Sequence, residues 1–370
     1  MNLSYWEYKT WLSNIDYTIV GSGIVGLNCA LQLRKRFPSA KILVLEKGIL
    51  PQGASTKNAG FACFGSISEI LADLKQHSED QVMQLVKKRW DGVALLRHNI
   101  GDANMDFQNH GGHEVFMEAH EELYQNCLEN IGMVNELLEP VFGNDGFKAH
   151  PNSFDFKGIQ QQYVTNTFES QIDTGRMMST LLQKVQNTGV VILNAIRVES
   201  IEDAHGHVSV KTDQFEFSSR KLLVATNGFA AQLIQEDVQP ARAQVLITKP
   251  IHNLRIKGTF HLDEGYYYFR NIEDRILFGG GRNLDFKAEE TYAFGQTPLI
   301  QHKLEEILKH IILPETPFEV DQRWSGIMGM GAQKRPIIKP ISENVFCGVR
   351  LGGMGIAIGS LIGKELAEMV

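Results

Sequence analysis

Six residues early in the chain, Gly21-Ser22-Gly23-Ile24-Val25-Gly26, have the types and spacing needed to bring bare backbone against a pyrophosphate. They follow the apolar run 17–20 and open an apolar helical pattern over 24–36. In that setting the first glycine permits a tight turn and the second lets the main chain approach the phosphates. The third lets the helix abut the strand, and the helix N-terminus offers N–H groups and partial positive charge. Glu46 lies twenty residues beyond Gly26, at the end of a second apolar strand, 41–46. A carboxylate there can accept both hydroxyls of a ribose and disfavours a 2′-phosphate. Lys47 adjoins it and is assigned to the same dinucleotide. The motif fits a nicotinamide or a flavin dinucleotide equally well.

A second cluster, Tyr266-Tyr267-Tyr268-Phe269-Arg270, combines aromatic rings with a guanidinium. If the run is a strand, side-chain alternation puts Tyr266, Tyr268 and Arg270 on one face and Tyr267 and Phe269 on the other. Only one face can line a pocket.

The elements that must position these residues follow from the patterning. Strand, glycine turn, helix and strand over 17–46 form a βαβ unit, which favours a parallel sheet. A helix near 176–187, a β-rich run at 190–201 and a strand at 221–226 extend that scaffold. Between them, 79–99 and 120–138 have helical apolar spacing, with Val82, Leu85, Val86, Val93 and Leu96 as examples. Short β-type runs at 244–248, 265–269, 275–278 and 318–327 indicate an antiparallel sheet. The expected fold class is α/β, with a Rossmann-type dinucleotide domain (1–78, 146–232 and 323–370) and an α+β substrate domain (79–145 and 233–322) built on that antiparallel sheet.

With 370 residues and 43% hydrophobic composition the chain can bury two cores, and its net charge of −7 lacks the basic excess that nucleic acid demands. Cys29, Cys63, Cys127 and Cys347 form no CxxC pair, so neither a zinc site nor a disulfide framework is expected, and a reducing cytoplasm fits. His110 and His113 flank a Gly-Gly turn without a carboxylate at ligand spacing, and no metal is expected. No signal segment or membrane span is expected either, since the weakly polar stretch 351–363 falls well short of the roughly 20 apolar residues a spanning helix requires.

Directly after the acid-tipped strand, Pro51-Gln52-Gly53-Ala54-Ser55-Thr56-Lys57-Asn58-Ala59-Gly60-Phe61 resembles the D-amino acid oxidase-like family of FAD-dependent oxidoreductases. The look is nearest to its glycine oxidase-like and gamma-glutamylputrescine oxidoreductase-like members. The resemblance continues in Gln171-Ile172-Asp173-Thr174-Gly175-Arg176, in Leu223-Val224-Ala225-Thr226-Asn227-Gly228, in Trp324-Ser325-Gly326 and in the stretch 348–355. It implies FAD, held by Ser55, Thr56, Asn58, Ala59, Gly60 and Phe61 along the pyrophosphate and ring. Relatives with covalent flavin carry a His or Cys near the ring, but this chain departs from them with Asn58 in the early segment and no cysteine in Met328-Gly329-Met330-Gly331, so non-covalent FAD is expected. Val198 would meet the adenine, while Thr226, Asn227, Gly228, Trp324 and Gly326 lie near the flavin. Gly352-Gly353-Met354-Gly355 precedes a helix starting near Ile356, and its N–H donors and positive end suit the N1/C2 carbonyl edge of a flavin that becomes anionic on reduction.

The resemblance also implies oxidation of a small amine or amino acid at a C–N bond, with hydride passing to flavin and water then hydrolysing the imine. An amino-acid substrate needs a cation for its carboxylate, and guanidinium suits that bidentate task. Arg335, in an arginine-proline segment similar to the family's, ranks first and Arg270 second, ahead of Arg323 and Arg350, with Tyr268 beside the substrate. Sarcosine oxidase-like members carry a lysine on the strand that here reads Ile276-Leu277-Phe278-Gly279. Its absence leaves O2 or another electron acceptor open. A nicotinamide-dependent dehydrogenase and a non-catalytic flavin-binding protein are the alternatives.

Overall fold

The computed structural model describes residues 3–204 and 206–370 and contains two eight-stranded sheets. The first runs Ile337–Pro340, Val345–Val349, Glu216–Val224, Ile15–Val20, Ile42–Leu45, Val191–Leu193, and its four central pairings are parallel. The antiparallel strands His207–Thr212 and Val198–Ala204 extend from Glu216–Val224. Alternation along the central strands divides two cores, as expected where a parallel sheet is covered on both faces. Ile19 and Val44 pack beneath the helices Ile24–Arg36, Thr174–Asn187 and Gly355–Glu368. Val20, Leu43 and Leu45 pack on the other side with Val208, Val210 and Phe217.

The second sheet runs Val320–Met330, Gln239–Thr248, Arg275–Gly280, Tyr267–Ile272, Thr259–Leu262, Gly112–Val115, Gln162–Asn166, Phe147–Pro151. One of its faces is a dense aromatic core in which Phe260 stacks on Phe269 at 4.5 Å and Phe278 meets Phe269 edge-on. The other face turns toward the first sheet. Tyr267 and Phe269 occupy the core side while Tyr268 and Arg270 face the opposite way, as strand alternation requires.

Local signals agree with the elements. Asp173 caps Thr174–Asn187 through the Arg176 N–H at 2.8 Å, and Ser78 with Gln81 forms a capping box on Glu79–Ile100. The segment expected as a single helix over 120–138 divides at Asn130 into Glu121–Glu129 and Ile131–Phe142. The Asn130 side chain bonds the Asn126 carbonyl at 2.7 Å, competing with the backbone for an acceptor.

The pairings differ from the expected domain boundaries in three places. Phe147–Pro151 and Gln162–Asn166 join the second sheet although they lie within 146–232, and Val320–Met330 joins it although most of that strand lies within 323–370. Helix Glu79–Ile100 instead packs into the first core, burying Val82, Val86, Val93 and Leu96 against the C-terminal helix. Each segment reads as strand or helix by its own pattern, but pattern does not say which sheet completes its hydrogen bonds.

The C-terminal helix lies almost backbone to backbone on the helix of the glycine motif. A Cβ on Gly363 would come within 2.5 Å of the Val25 carbonyl oxygen and 2.8 Å of the Asn28 Cβ. Gly363→Ala should therefore lower stability in urea by about 1–3 kcal/mol, overpacking outweighing the roughly 1 kcal/mol that alanine gains in helix propensity. An unchanged or raised urea midpoint would show that the helices can separate without cost.

Candidate active site between the two sheets

A single cavity of about 730 Å³ runs from the glycine turn, between the two sheets, to the segment 330–334. Its first stretch is bare backbone. Gly21 has φ +106°, a conformation strained for any side chain, and a Cβ on Gly26 would lie 1.9 Å from the Gly21 carbonyl oxygen. The first-turn N–H groups of Val25 and Gly26 have no intrahelical acceptor, and that of Ile24 is met by Ser55 Oγ at 3.0 Å. Glu46 is buried and lines the cavity, one oxygen receiving the Ser22 N–H and hydroxyl and the other the Gly48 N–H.

Beyond the acid, Lys47, Arg197 and Val198 form the wall, with the Lys47 ammonium 3.2 Å from the centre of the Phe229 ring. Burial lowers the Lys47 pKa against the opposing charge of Glu46. Further in, Asn58, Ala59, Gly60 and Phe61 face Asn227, Gly326 and the turn Gly352, Gly353, Met354, Gly355, Ile356. Thr226 borders the cavity, and its hydroxyl is buried without a partner among the described residues. A dinucleotide with a pyrophosphate, a ribose diol and a flavin ring fits this wall. It would satisfy the orphaned hydroxyl and meet the free N–H groups of two helix ends.

Several residues expected at the cofactor stand one layer behind the wall. Ser22 orients Glu46, Gly26 seats the helix, and Thr56 Oγ1 bonds the Pro51 carbonyl at 2.6 Å. Gly228 packs on the Met328 backbone, and the Trp324 indole N–H reaches the Lys57 carbonyl at 3.0 Å.

None of the four arginines expected to hold a carboxylate lines the main cavity. Arg323 pairs with Glu305 and Arg350 with Asp237, each at 2.7 Å. Arg335 is exposed and borders a separate small recess with Asp73 and His77, where Lys334 bridges to Asp73 at 2.5 Å. Arg270 lies buried behind Gly60, donating to the Ile172 carbonyl at 2.9 Å, and burial lowers its pKa to about 10. Tyr268 does line the cavity. Its ring lies across Gly279 and meets Phe61 edge-on at 5.7 Å, and burial raises its phenol to about 12, so it stays protonated.

The cavity also holds Phe229, Arg282 and His261, which are not among the expected site residues. Phe229 follows the Thr226 turn in an irregular helical segment with no periodicity to mark it. Arg282 follows the strand Arg275–Gly280, lies over the Phe286 ring at 4.8 Å and has no carboxylate partner among the described residues. His261 belongs to Thr259–Leu262, a strand of four residues too short to stand out, and its Nε2 lies 3.3 Å from Glu169. Among the described residues no three metal-binding side chains converge, and no helix is long and apolar enough to cross a membrane.

A bare-backbone dinucleotide cradle joined to a chamber walled by an antiparallel sheet defines a two-domain flavoenzyme. The chain belongs to the FAD-dependent oxidoreductase (DAO) family, whose profile matches residues 16–369. The probable oxidoreductase OrdL of Haemophilus influenzae is 22% identical, over 98% of this chain and 84% of the relative. Gamma-glutamylputrescine oxidoreductase of Escherichia coli is 20% identical over 96% and 83%. Among solved structures, glycine oxidase from Geobacillus kaustophilus superimposes with TM-score 0.78 at 17% identity, over 96% of this chain and 94% of that one. L-proline dehydrogenase from P. horikoshii gives 0.74 at 17%, over 96% and 93%.

Burial alone would lower the His261 pKa, but the hydrogen bond and charge of Glu169, with Glu69 and Glu114, outweigh it and raise the value above the ordinary 6.5. Stability from a raised histidine is fully present below 6.5 and is lost as pH climbs through the folded-state value. Urea unfolding should therefore find His261→Asn most destabilised relative to wild type below pH 6.5, with the difference shrinking toward pH 9. A difference that grows with pH would contradict the pairing.

Proposed function

We propose that this FAD-dependent oxidoreductase oxidises a C–N bond of a small amine or amino acid to an imine, which water then hydrolyses. FAD, when bound, supplies the two-electron acceptor for the hydride leaving the carbon next to nitrogen. The residues proposed to hold it are those of the wall from Gly21 to Ile356, with Ser22, Gly26, Thr56, Gly228 and Trp324 as supports.

The observation that carries the reading is the seam where the second sheet meets segment 57–61. Ala59, Val245 and Leu277 form a thin apolar layer there, edged by Phe61, Tyr268 and Trp324. This layer keeps water from the chamber side of the cradle, while Tyr266, Tyr268, His261 and Arg282 supply polar groups on the same wall. Such a chamber can orient a small polar substrate against a flat ring, which is the main contribution a protein makes to hydride transfer. The names of the relatives, an oxidoreductase of an N-substituted diamine and an oxidase of glycine, point to the same chemistry.

Arg282 takes the place expected of Arg335 and Arg270 as carboxylate partner, because it lines the cavity and has no acid of its own among the described residues. The electron acceptor is O2 or another oxidant. A lysine side chain cannot enter from position 279, where a Cβ would fall 2.5 Å from Val245 Cγ1 and 2.8 Å from the Tyr268 ring. The absence of a lysine on this strand leaves both open. The four buried, unpaired cysteines support a reducing, cytoplasmic setting.

Anaerobic mixing of the FAD-loaded protein with amino acids, N-methyl amino acids and polyamines should bleach the flavin band with one class. Readmitted air then distinguishes oxidase from dehydrogenase. Flavin that stays oxidised with every amine but is reduced by dithionite would remove the reading. With an amino-acid substrate, Arg282→Leu should raise KM about 10- to 100-fold, the equivalent of a charge-assisted bond, and leave amines without a carboxylate unaffected.

A further inference from the structure

His261 and Glu169 form a buried pair at the cavity that the reaction as outlined does not use. Glu169 is 1% exposed, and its Oε1 accepts the N–H groups of Phe64 at 2.9 Å and Gly65 at 3.3 Å. Its Oε2 lies 3.3 Å from His261 Nε2. The carboxylate reaches this position only because residue 112 is glycine, since a Cβ there would lie 1.8 Å from Oε2. His261 itself lines the cavity, its ring edge-on to Phe61 at 5.4 Å and its strand position opposite Tyr268.

The contact to Glu169 commits Nε2 as the N–H donor and fixes the ring. Nδ1 has no hydrogen-bond partner among the described residues, so the pair has the arrangement of an oriented base: carboxylate, imidazole and one nitrogen left for something in the cavity. The charged and titratable groups around the ring come from every neighbouring element. Glu114 lies on the adjacent strand and bonds Ser68, Glu69 lies on helix Ile67–Leu74, and Tyr268 is across the hairpin. His113, two residues from the Gly111 turn, is pushed by burial to about 4 and is neutral. Two arginines line the same cavity, Arg89, which donates to the Phe64 carbonyl, and Arg282. Carboxylates outnumber cations here, which suits the approach of an ammonium group.

We propose that His261 is the base that deprotonates the substrate ammonium, with Glu169 as its positioning residue. The inference rests on the amine reading above. An amine protonated at neutral pH has no free lone pair with which to form an imine as hydride departs. In the proposed step the ammonium N–H bond breaks, its electron pair stays on the substrate nitrogen, and the proton forms a bond to Nδ1. The imidazolium, stabilised by Glu169, later returns the proton to water in the cavity. The Glu169 carboxylate stabilises the imidazolium, which raises the affinity of His261 for the proton above that of a free imidazole.

The test combines single-turnover anaerobic reduction across pH with a nitrogen-15 histidine titration, on FAD-loaded wild type, His261→Gln and Glu169→Gln. For wild type the titration should show the Nε2–H tautomer and a pKa above 6.5, falling in Glu169→Gln. At pH 7, His261→Gln should reduce roughly 100-fold more slowly, a typical general-base effect, with the flavin still bound. Its rate should recover as pH approaches the amine's own pKa, where solution delivers the neutral form. A merely structural role gives no such recovery. Equal rates, or a defect constant across pH, overturn the assignment and leave amine oxidation standing. An Nδ1–H tautomer overturns it independently of turnover. Failure of wild type to be reduced by any amine removes both readings together.

Discussion

Two helix N-termini, at Ile24 and at Gly355, open into one cavity, and they can do so only because their helices touch at backbone distance. Gly359 and Gly363 face Ile24, Val25 and Asn28, with room for hydrogen and nothing larger. That contact brings the pyrophosphate cradle and the C-terminal turn into one continuous wall, so the two ends of a long dinucleotide can be held by the same rigid body. Positive ends that would repel if exposed side by side are stabilised by an anion between them. Glu46, held by Ser22 and Gly48, closes the same wall at the end proposed for the ribose.

The second sheet supplies the complementary half through its two-sidedness. One face is packed with Phe260, Phe269 and Phe278, and the alternate residues His261, Tyr268, Gly279 and Val245, in register across four strands, form the wall on the other. Packing on the far face thus fixes the chemistry on the near one. Small residues matter as much as large ones here: the Tyr268 ring occupies space that a Cβ at Gly279 would take, and Glu169 reaches His261 through the space left at Gly112. A polar pair so deeply buried is tolerated because each carboxylate oxygen has a donor.

The fold of the glycine-turn half of the cavity was largely legible in the sequence, since backbone chemistry leaves short-range marks. The glycine spacing, the terminal acid at 46 and the helix bounds 24–36 depend on local geometry, and the structure has the helix at Ile24–Arg36. The substrate half was not, because its residues meet through pairings between distant strands. Arg335 resembles the family's arginine-proline segment and Arg270 follows an aromatic run, but the first borders a side recess and the second lies behind Gly60. His261 and Arg282 flank a hairpin whose importance comes from what lies opposite it. The boundaries at 146 and 323 failed for the same reason, as hydrogen-bonding partners of an edge strand are a tertiary choice.

The cavity between the sheets is proposed to hold one FAD per chain, non-covalently. The direct measurement is to titrate the purified protein with FAD, remove excess by gel filtration, record the spectrum, and then denature and filter. A yellow protein whose flavin passes the filter intact as FAD, in equimolar amount, is the predicted result. A protein that stays colourless, or flavin that remains attached to the denatured chain, would contradict it.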